Sequence, residues 1–553
     1  MILPLKLDWE AFYSLPEGLQ LSVGDRVRVE FASREYVGVV SAVHADPGSL
    51  AGKTVPVLGA EPALPAVHPK EILLWRALAE YYLCTVGEVY KAACPERISN
   101  HIPKRASKPK EASPAPVPVP LQLTPEQEDA LPAVRQAIGA GKTVLLQGTG
   151  RTEIYLQLAL ETLQEGRSVL WLVPEIGLSR RLEAQVEAVV PSMLSYHSAL
   201  TPAQRRKVAQ AIRQQPASLV LGTRSALFLP HWNLGLVMVD QEHDISFKQD
   251  APAPRFHARE AAILLSGIQG ARVVLGSSTP SLESIYNAEN GLFTRIELKQ
   301  NFNKEGAVSV QLVNIAAEAR KKGMSGSFSL QLLSRMHSLS AAGARQLVVC
   351  CSKADIADCA AQLEAIFGAA AKEMTLATPA SAKALPPATY DLVAILLADT
   401  LLAKEDFRCD ERAVQALTQL RERCAPGGLL FIQTREEAHP VFDNFTRDCS
   451  GEMLSERRQF AYPPFTRLVH IVLKDNNIKR LNYLSRELLQ ALRGAVPLAQ
   501  WTGPYGDPDR IIRAALPRDK NLKPSKRALA RTVQEFGRDR KYDSHMVIDV
   551  DPV

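Results

Sequence analysis

Apolar and polar residues alternate at period two from Asp25 to Val43 (DRVRVEFASREYVGVVSAV), with a polar break at Ala32-Ser33-Arg34. Such alternation predicts a β-hairpin within a small barrel or twisted sheet. The period then lengthens. Ile72, Trp75, Leu78, Ala79 and Tyr82 fall on one face of a helix predicted from about Pro69 to Leu83. Further on, short apolar runs alternate with helical segments. TVLLQ (143–147), SVLWLV (168–173), SLVLGT (218–223), LGLVMVD (234–240) and RVVLGSS (272–278) form one set. RQLVVCC (345–351), YDLVAILLAD (390–399) and GLLFIQT (428–434) form a second. Runs of this kind, separated by helices, are the pattern of parallel sheets covered on both faces. Past about Arg447, RLVHIVLK (467–474), a long helix near Lys479–Arg493 and SHMVIDVDPV (544–553) predict a small α+β domain.

The pattern stops between Arg97 and Pro120, where KRASKPKEASPAPVPVP has almost nothing to bury. That composition predicts an extended, solvated tether. The expected division is then a β-rich N-terminal module (1–96), a linker (97–122), two α/β lobes (123–300 and 301–446) and an α+β domain (447–553).

Composition sharpens this only in places. Apolar residues make up 46% and charged residues 22% of 553, which excludes a disordered or fibrous chain. Basic residues exceed acidic ones 65 to 59, a mild excess that only nudges the reading toward nucleic acid. Part of it is concentrated: eleven basic residues lie between Arg510 and Lys541, against Asp519, Glu535, Asp539 and, just beyond, Asp543. Eight cysteines without a C-x-x-C pair, and a start without a signal peptide, predict a reduced, cytoplasmic chain. No apolar run reaches the ~18 residues of a membrane span, so no membrane partner is expected.

The block that carries chemistry is Asp240-Gln241-Glu242-His243, at the end of an apolar run. A carboxylate at such a strand end is where α/β nucleotide-binding sheets hold the Mg²⁺ of a triphosphate. Its surroundings are more specific. LVPEIGLS (172–179), YHSALTPAQRR (196–206), GTRSALFLP (222–230) and GSSTPSLES (276–284) resemble the first motor lobe of the PriA family of replication restart helicases, in superfamily 2. LTPEQ (123–127) is similar to the opening of that family's helicase core. REYVGVV and EYYLCTVGEVYKAA (80–93) resemble its domain for the 3′ end of a nascent strand. PPFTRLVHIVL (463–473) and MVIDVDP (546–552) resemble its C-terminal domain.

The resemblance implies two RecA-like lobes, ATP and Mg²⁺ as cofactors, and forked or single-stranded DNA as partner. It also implies primosome and replisome proteins and single-stranded-DNA-binding protein as further partners, a monomer, and a place near the nucleoid. It assigns nucleotide binding to Gln127, Gly148, Thr149, Gly150, Arg151, Thr152 and Arg423. Catalysis falls to Asp240, Glu242 and His243, with Asp240 on the metal. DNA contact falls to Thr223, Arg224 and Ser225, and to an aromatic-rich loop carrying Phe247, Lys248, Arg255 and Phe256. Aromatics beside cations suit stacked bases and phosphates, although two packed phenylalanines in a surface loop explain the same residues. His197 and His243 are equally suited to hydrogen bonding between domains.

Four departures cut against a working motor. A P-loop reads G-x-x-x-x-G-K-[ST], its amides curving around the phosphates. Here Gly148-Thr149-Gly150-Arg151-Thr152-Glu153 is three residues shorter, with Arg151 in the lysine's place. Gln241 stands where the family has its catalytic glutamate, and Gln cannot accept a proton. The stretch Gln419–Pro426 (QLRERCAP) matches the family's Q-x-x-G-R-x-G-R, with Arg423 on the first arginine and Pro426 at the finger, a residue worth about 10³ or more in rate. Finally, RQLVVCCSKADIADCAAQLEAIFG (345–368) passes from strand to helix without the family's zinc module. Cys350, Cys351 and Cys359 lack ligand spacing, and no zinc is expected. The tether also takes the place of a winged helix. The expectation is a DNA-binding restart protein with an impaired or inactive motor; an active ATP-dependent 3′→5′ helicase is the alternative, and a vestigial copy a third.

Overall fold

The computed structural model describes residues 1–46, 48, 54–94, 120–175, 179–298, 306–404 and 406–552. Most of the predicted tether and the boundary at 300/301 lie outside the described residues.

In the N-terminal module, β1 (Arg26–Phe31) and β2 (Arg34–Val39) pair antiparallel, with Phe31 opposite Arg34. Ala32 and Ser33 have φ of 48° and 60°, the left-handed pair that a two-residue hairpin turn requires. Val27 and Val29 are buried while Arg28 and Glu30 face out, so the alternation is expressed as expected. Helix α1 (Pro69–Tyr82) starts in a capping box formed by His68 and Glu71 and buries all five residues of the predicted face.

A seven-stranded parallel sheet follows: β3 (Thr143–Gln147), β4 (Ser168–Leu172), β5 (Leu194–Tyr196), β6 (Leu219–Gly222), β7 (Leu234–Asp240), β8 (Arg272–Ser277) and β9 (Phe293–Glu297). Its spatial order is β9-β3-β8-β7-β4-β6-β5. The edge strands β5 and β9 escaped the apolar pattern because their residues are only half-buried. Helices α2 (Arg151–Gln164), α3 (Ala258–Gln269) and α4 (Leu282–Glu289) belong to this lobe.

The second parallel sheet has five strands: β10 (Ser309–Asn314), β11 (Gln346–Val349), β12 (Thr375–Ala377), β13 (Tyr390–Ile395) and β14 (Cys424–Thr434), in the order β10-β14-β13-β11-β12. Helix α5 (Cys409–Arg421) leads into β14. After the short helix α6 (Ser450–Gln459), an antiparallel sheet forms from β15 (Thr466–Leu473), β16 (Gln500–Tyr505), β17 (Arg510–Pro517) and β18 (Met546–Val550), in the order β16-β17-β15-β18. It packs against α7 (Ile478–Ala495) and α8 (Leu522–Asp539). The basic run 510–541 is thus divided: β17 buries Ile512, Ala514 and Leu516, and α8 carries five of the eleven basic residues.

One apolar core joins three of these parts. It contains Trp75 and Tyr82 of α1, Phe247 and Phe256 of the first lobe, and Val469 and Leu488 beyond the second. Among the described residues no helix is long and apolar enough to cross a membrane.

Candidate functional site

The loop Gly148–Gly150 leaves β3 at the carboxyl edge of the first sheet, and Asp240 ends β7, separated from β3 by β8 alone. Two glycines are needed here for steric reasons. Gly148 has φ of 119°, and a Cβ on it would stand 2.7 Å from the Leu298 carbonyl oxygen. A Cβ on Gly276 of β8 would fall 1.6 Å from the Tyr155 hydroxyl. That close approach lets Tyr155 reach over the sheet.

The centre of the site is an ion pair. Arg151 Nε donates to Asp240 Oδ1 at 2.9 Å, and Nη2 lies 2.8 Å from the same oxygen. Tyr155 adds its hydroxyl at 3.2 Å. The other guanidinium nitrogen, Nη1, donates back to the Gly148 carbonyl. Burial works against the charge on Arg151, but Asp240 and Tyr155 outweigh it and hold the guanidinium protonated above its ordinary range. The Gly148 amide is also committed, donating to Ser277 O at 3.1 Å. Gln127 receives the Thr124 amide at 2.7 Å and donates to Gly150 O at 2.7 Å and to Glu153 at 3.0 Å. Thr152 is half-buried in the first turn of α2.

These residues do not fit a Mg²⁺-bound triphosphate. The guanidinium bridges the loop carbonyl and the carboxylate, and Asp240 Oδ1 already receives three donors. A second cation beside a buried guanidinium is repelled. Among the described residues, no group of three His, Cys, Asp or Glu side chains is placed to hold a metal.

Glu242 and His243 have other work. Glu242 is fully buried and accepts from Arg259 Nη1 at 2.7 Å, from the Ser281 amide at 2.7 Å, and from the Ser281 and Ser284 hydroxyls at 3.0 Å each. These bonds commit both carboxylate oxygens and tie Glu242 to the Ser281 cap of α4. His243 Nε2 receives the Gln419 side-chain amide at 2.6 Å, from across the lobe boundary. An amide nitrogen can only donate, so Nδ1 carries the proton and donates to Ser277 Oγ at 2.7 Å. Burial lowers the His243 pKa to about 4, keeping the ring neutral. Gln241, with φ of 53°, lies 3.5 Å from the same Gln419 amide. Arg423 turns away from the loop: it is buried and donates to Lys383 O at 3.1 Å. His197 is half-buried beyond β5, its carbonyl accepting from the Leu200 amide.

The aromatic-rich loop is corrected most. Phe247 and Phe256 are 1% and 0% exposed, and Phe256 packs edge-on against Phe228 at 5.2 Å, so neither ring offers a face to a base. Lys248 Nζ donates to Arg255 O at 2.8 Å, Asp549 Oδ1 at 2.7 Å and Val550 O at 2.6 Å. An ammonium has three protons and all are used within the fold. Apolar burial and the partners from β18, which the local sequence could not reveal, explain both departures. Thr223 is buried too; its amide donates to Tyr196 O and its carbonyl accepts from Ala226. Arg224 donates to the carbonyls of Ser246 at 2.6 Å and Lys248 at 3.0 Å. Ser225 and Arg255 are half-buried. Cys350 and Cys359 are buried and Cys351 is half-buried.

Residues outside the expected set complete the picture. Arg259 lies in RFHARE, where only its charge amid apolar neighbours hinted at a buried partner. Tyr155, Lys383, Glu411 and Arg457 carry no local signal, since their partners are distant in sequence.

A family model for the PriA 3′ DNA-binding domain matches residues 1–95, and one for DEAD/DEAH box helicases matches residues 124–288. The replication restart protein PriA of Rickettsia felis is 31% identical over 326 residues, covering 58% of this chain and 49% of that protein. The PriA of Treponema pallidum is 27% identical over 570 residues, covering 85% of each. That of Bacillus subtilis is 27% identical over 474 residues, covering 68% of this chain and 58% of the relative. The chain thus spans about half the length of the rickettsial relative and most of the treponemal one. Among solved structures, RecG bound to a three-way DNA junction superposes with a TM-score of 0.37 at 14% identity, over 76% of this chain and 58% of RecG. Such likenesses are too remote to bear on the site. The two family matches and the treponemal likeness show that this chain is similar to PriA replication restart proteins.

Proposed function

We propose that this chain is a PriA-like replication restart protein that binds forked or 3′-ended DNA and does not turn over ATP. The observation that carries the second half is the Arg151–Asp240 pair, which ties up the two side chains that the resemblance assigns to phosphate and metal. Phosphoryl transfer depends on positioning and charge stabilisation. Here the loop is short, the glutamate is Gln241, and Pro426 stands at the finger position. The DNA-binding half rests on the 3′ DNA-binding match at residues 1–95, with replisome proteins and single-stranded-DNA-binding protein as partners by likeness. The cytoplasm near the nucleoid is the matching location.

Purified protein should show no ATPase above background with saturating forked DNA. Turnover that disappears in Asp240→Ala would overturn this reading in favour of the competing one, an ATP-driven 3′→5′ helicase, which has the match over 124–288 on its side. A mobility shift should show tighter binding to forks with a free 3′ end than to blocked forks; equal affinities would remove the role assigned to residues 1–96.

A further inference from the structure

In an ATP-driven tandem of this kind the lobes move because nucleotide bridges them. Here protein groups make the bridge. Glu411 of α5 accepts from the Leu282 amide at the start of α4 at 2.9 Å and from Arg457 of α6 at 2.5 Å. Glu283 of α4 lies 2.7 Å from Arg408 and 3.6 Å from Arg457. These four side chains are between 5% and 14% exposed, so water screens them little. They belong to three parts of the chain: the first lobe, the second lobe, and the helix that follows it. Apolar contact reinforces the charges, since Leu282 and Ile285 of α4 pack with Leu454 of α6. Tyr286 meets Phe465 edge-on at 5.0 Å.

A second bridge lies beside the acidic motif. Lys383 Nζ is 2.7 Å from Asp244, and Gln419 reaches His243 at 2.6 Å. Gln415 adds a bond to Thr279 O at 3.3 Å. Both sets connect α5 and its surroundings to the segments after β7 and β8, the surfaces a nucleotide-driven cleft has to separate.

We infer that the buried Glu283–Arg408–Glu411–Arg457 cluster locks the two lobes into one nucleotide-independent arrangement, making the paired sheets a fixed platform. The inference goes beyond the absence of turnover. A chain that hydrolysed ATP without lobe motion would sink the proposed function and leave the lock standing.

Hydrogen exchange on the full chain tests it. Amides of α4 and α5 should exchange slowly in the ligand-free protein, with less than a twofold change on adding Mg²⁺ and a non-hydrolysable ATP analogue. Arg457→Met should speed exchange in both helices together, tenfold or more, while β3 and α1 keep their wild-type rates. Fast exchange in the ligand-free wild type, slowed by the analogue, would overturn the lock; so would an Arg457→Met protein whose α4 and α5 rates are unchanged. Should that variant fail to fold, Lys383→Met, at a more exposed pair, gives the same reading: faster exchange at 241–247 and in α5 is expected, and none refutes it.

Discussion

Arg151 and Asp240 neutralise each other across the mouth of the first sheet, the guanidinium touching one carboxylate oxygen through two nitrogens at 2.9 and 2.8 Å. Arg151 lies at the lysine position of a shortened P-loop, and its partner is the acid that a bound metal would require. The departure at Arg151 is therefore closed upon an acid that the motif retains.

The pair can be tested without nucleotide. Arg151→Ala leaves Asp240 with only the Tyr155 hydroxyl and should cost about 1–3 kcal/mol in urea unfolding, since the site is partly open to water. Arg151→Lys should recover part of this and should not create ATPase, because the loop remains short. ATPase above background in the lysine variant would contradict the account.

Lys248→Met separates a folding role from a DNA-binding one. Stranding Asp549 and two carbonyls should destabilise the protein by about 3–5 kcal/mol. Measured where the variant is folded, the slope of log affinity for DNA against log salt should stay the same. A slope smaller by about 1 would mean that Lys248 contacts phosphate after all.

Glu242→Gln tests the acidic motif in the same way. It removes one of the two carboxylates on the buried Arg259, Glu260 staying 2.8 Å away, and should cost about 1–3 kcal/mol in chemical denaturation. DNA affinity should change little. A stable variant with altered DNA-stimulated turnover would return Glu242 to catalysis.

Acid sensitivity follows from the buried imidazoles. Burial lowers the pKa of His231, His243 and His470 to about 4. Below about pH 6.5 the unfolded chain takes up protons that the folded chain refuses, so stability falls from pH 6.5 toward pH 4. Each histidine contributes about 1.4 kcal/mol per pH unit in that window. Asp244, kept at about 2 by Lys383 against the opposing effect of burial, has the opposite kind of shift. Its contribution is complete above about pH 4 and is lost as pH falls toward 2. Urea midpoints at pH 6.5, 5.5 and 4.5 should therefore decline, and His231→Gln should flatten the decline by about one histidine's share; an unchanged slope would mean His231 titrates normally.

Local patterns made much of the fold legible. The Asp25–Val43 alternation, the α1 face and the apolar runs each record burial by near neighbours, so β1, α1, β4 and β7 follow from them. The edge strands β5 and β9 did not, because half-exposed strands lack the apolar run. The site was legible as a set of departures: the short loop, Gln241 and Pro426 stand out against the resemblance. Their consequences were not. That Glu242 serves Arg259, or that Lys248 serves Asp549, depends on contacts 17 and 301 residues apart. The aromatics stayed ambiguous for the same reason: the local sequence suits stacking and packing alike, and only the core shared with α1 and β15 decides for packing.

Those long separations matter while the chain is being made. The Lys248 ammonium finds its last acceptors 301 and 302 residues later. At a synthesis rate of about 5–20 residues per second, it waits about 15–60 s before β18 emerges. Through that interval the ammonium has only the Arg255 carbonyl of its three acceptors. These contacts are thus completed late in translation, and a ribosome stalled before residue 546 holds a first lobe whose Lys248 charge still lacks its carboxylate.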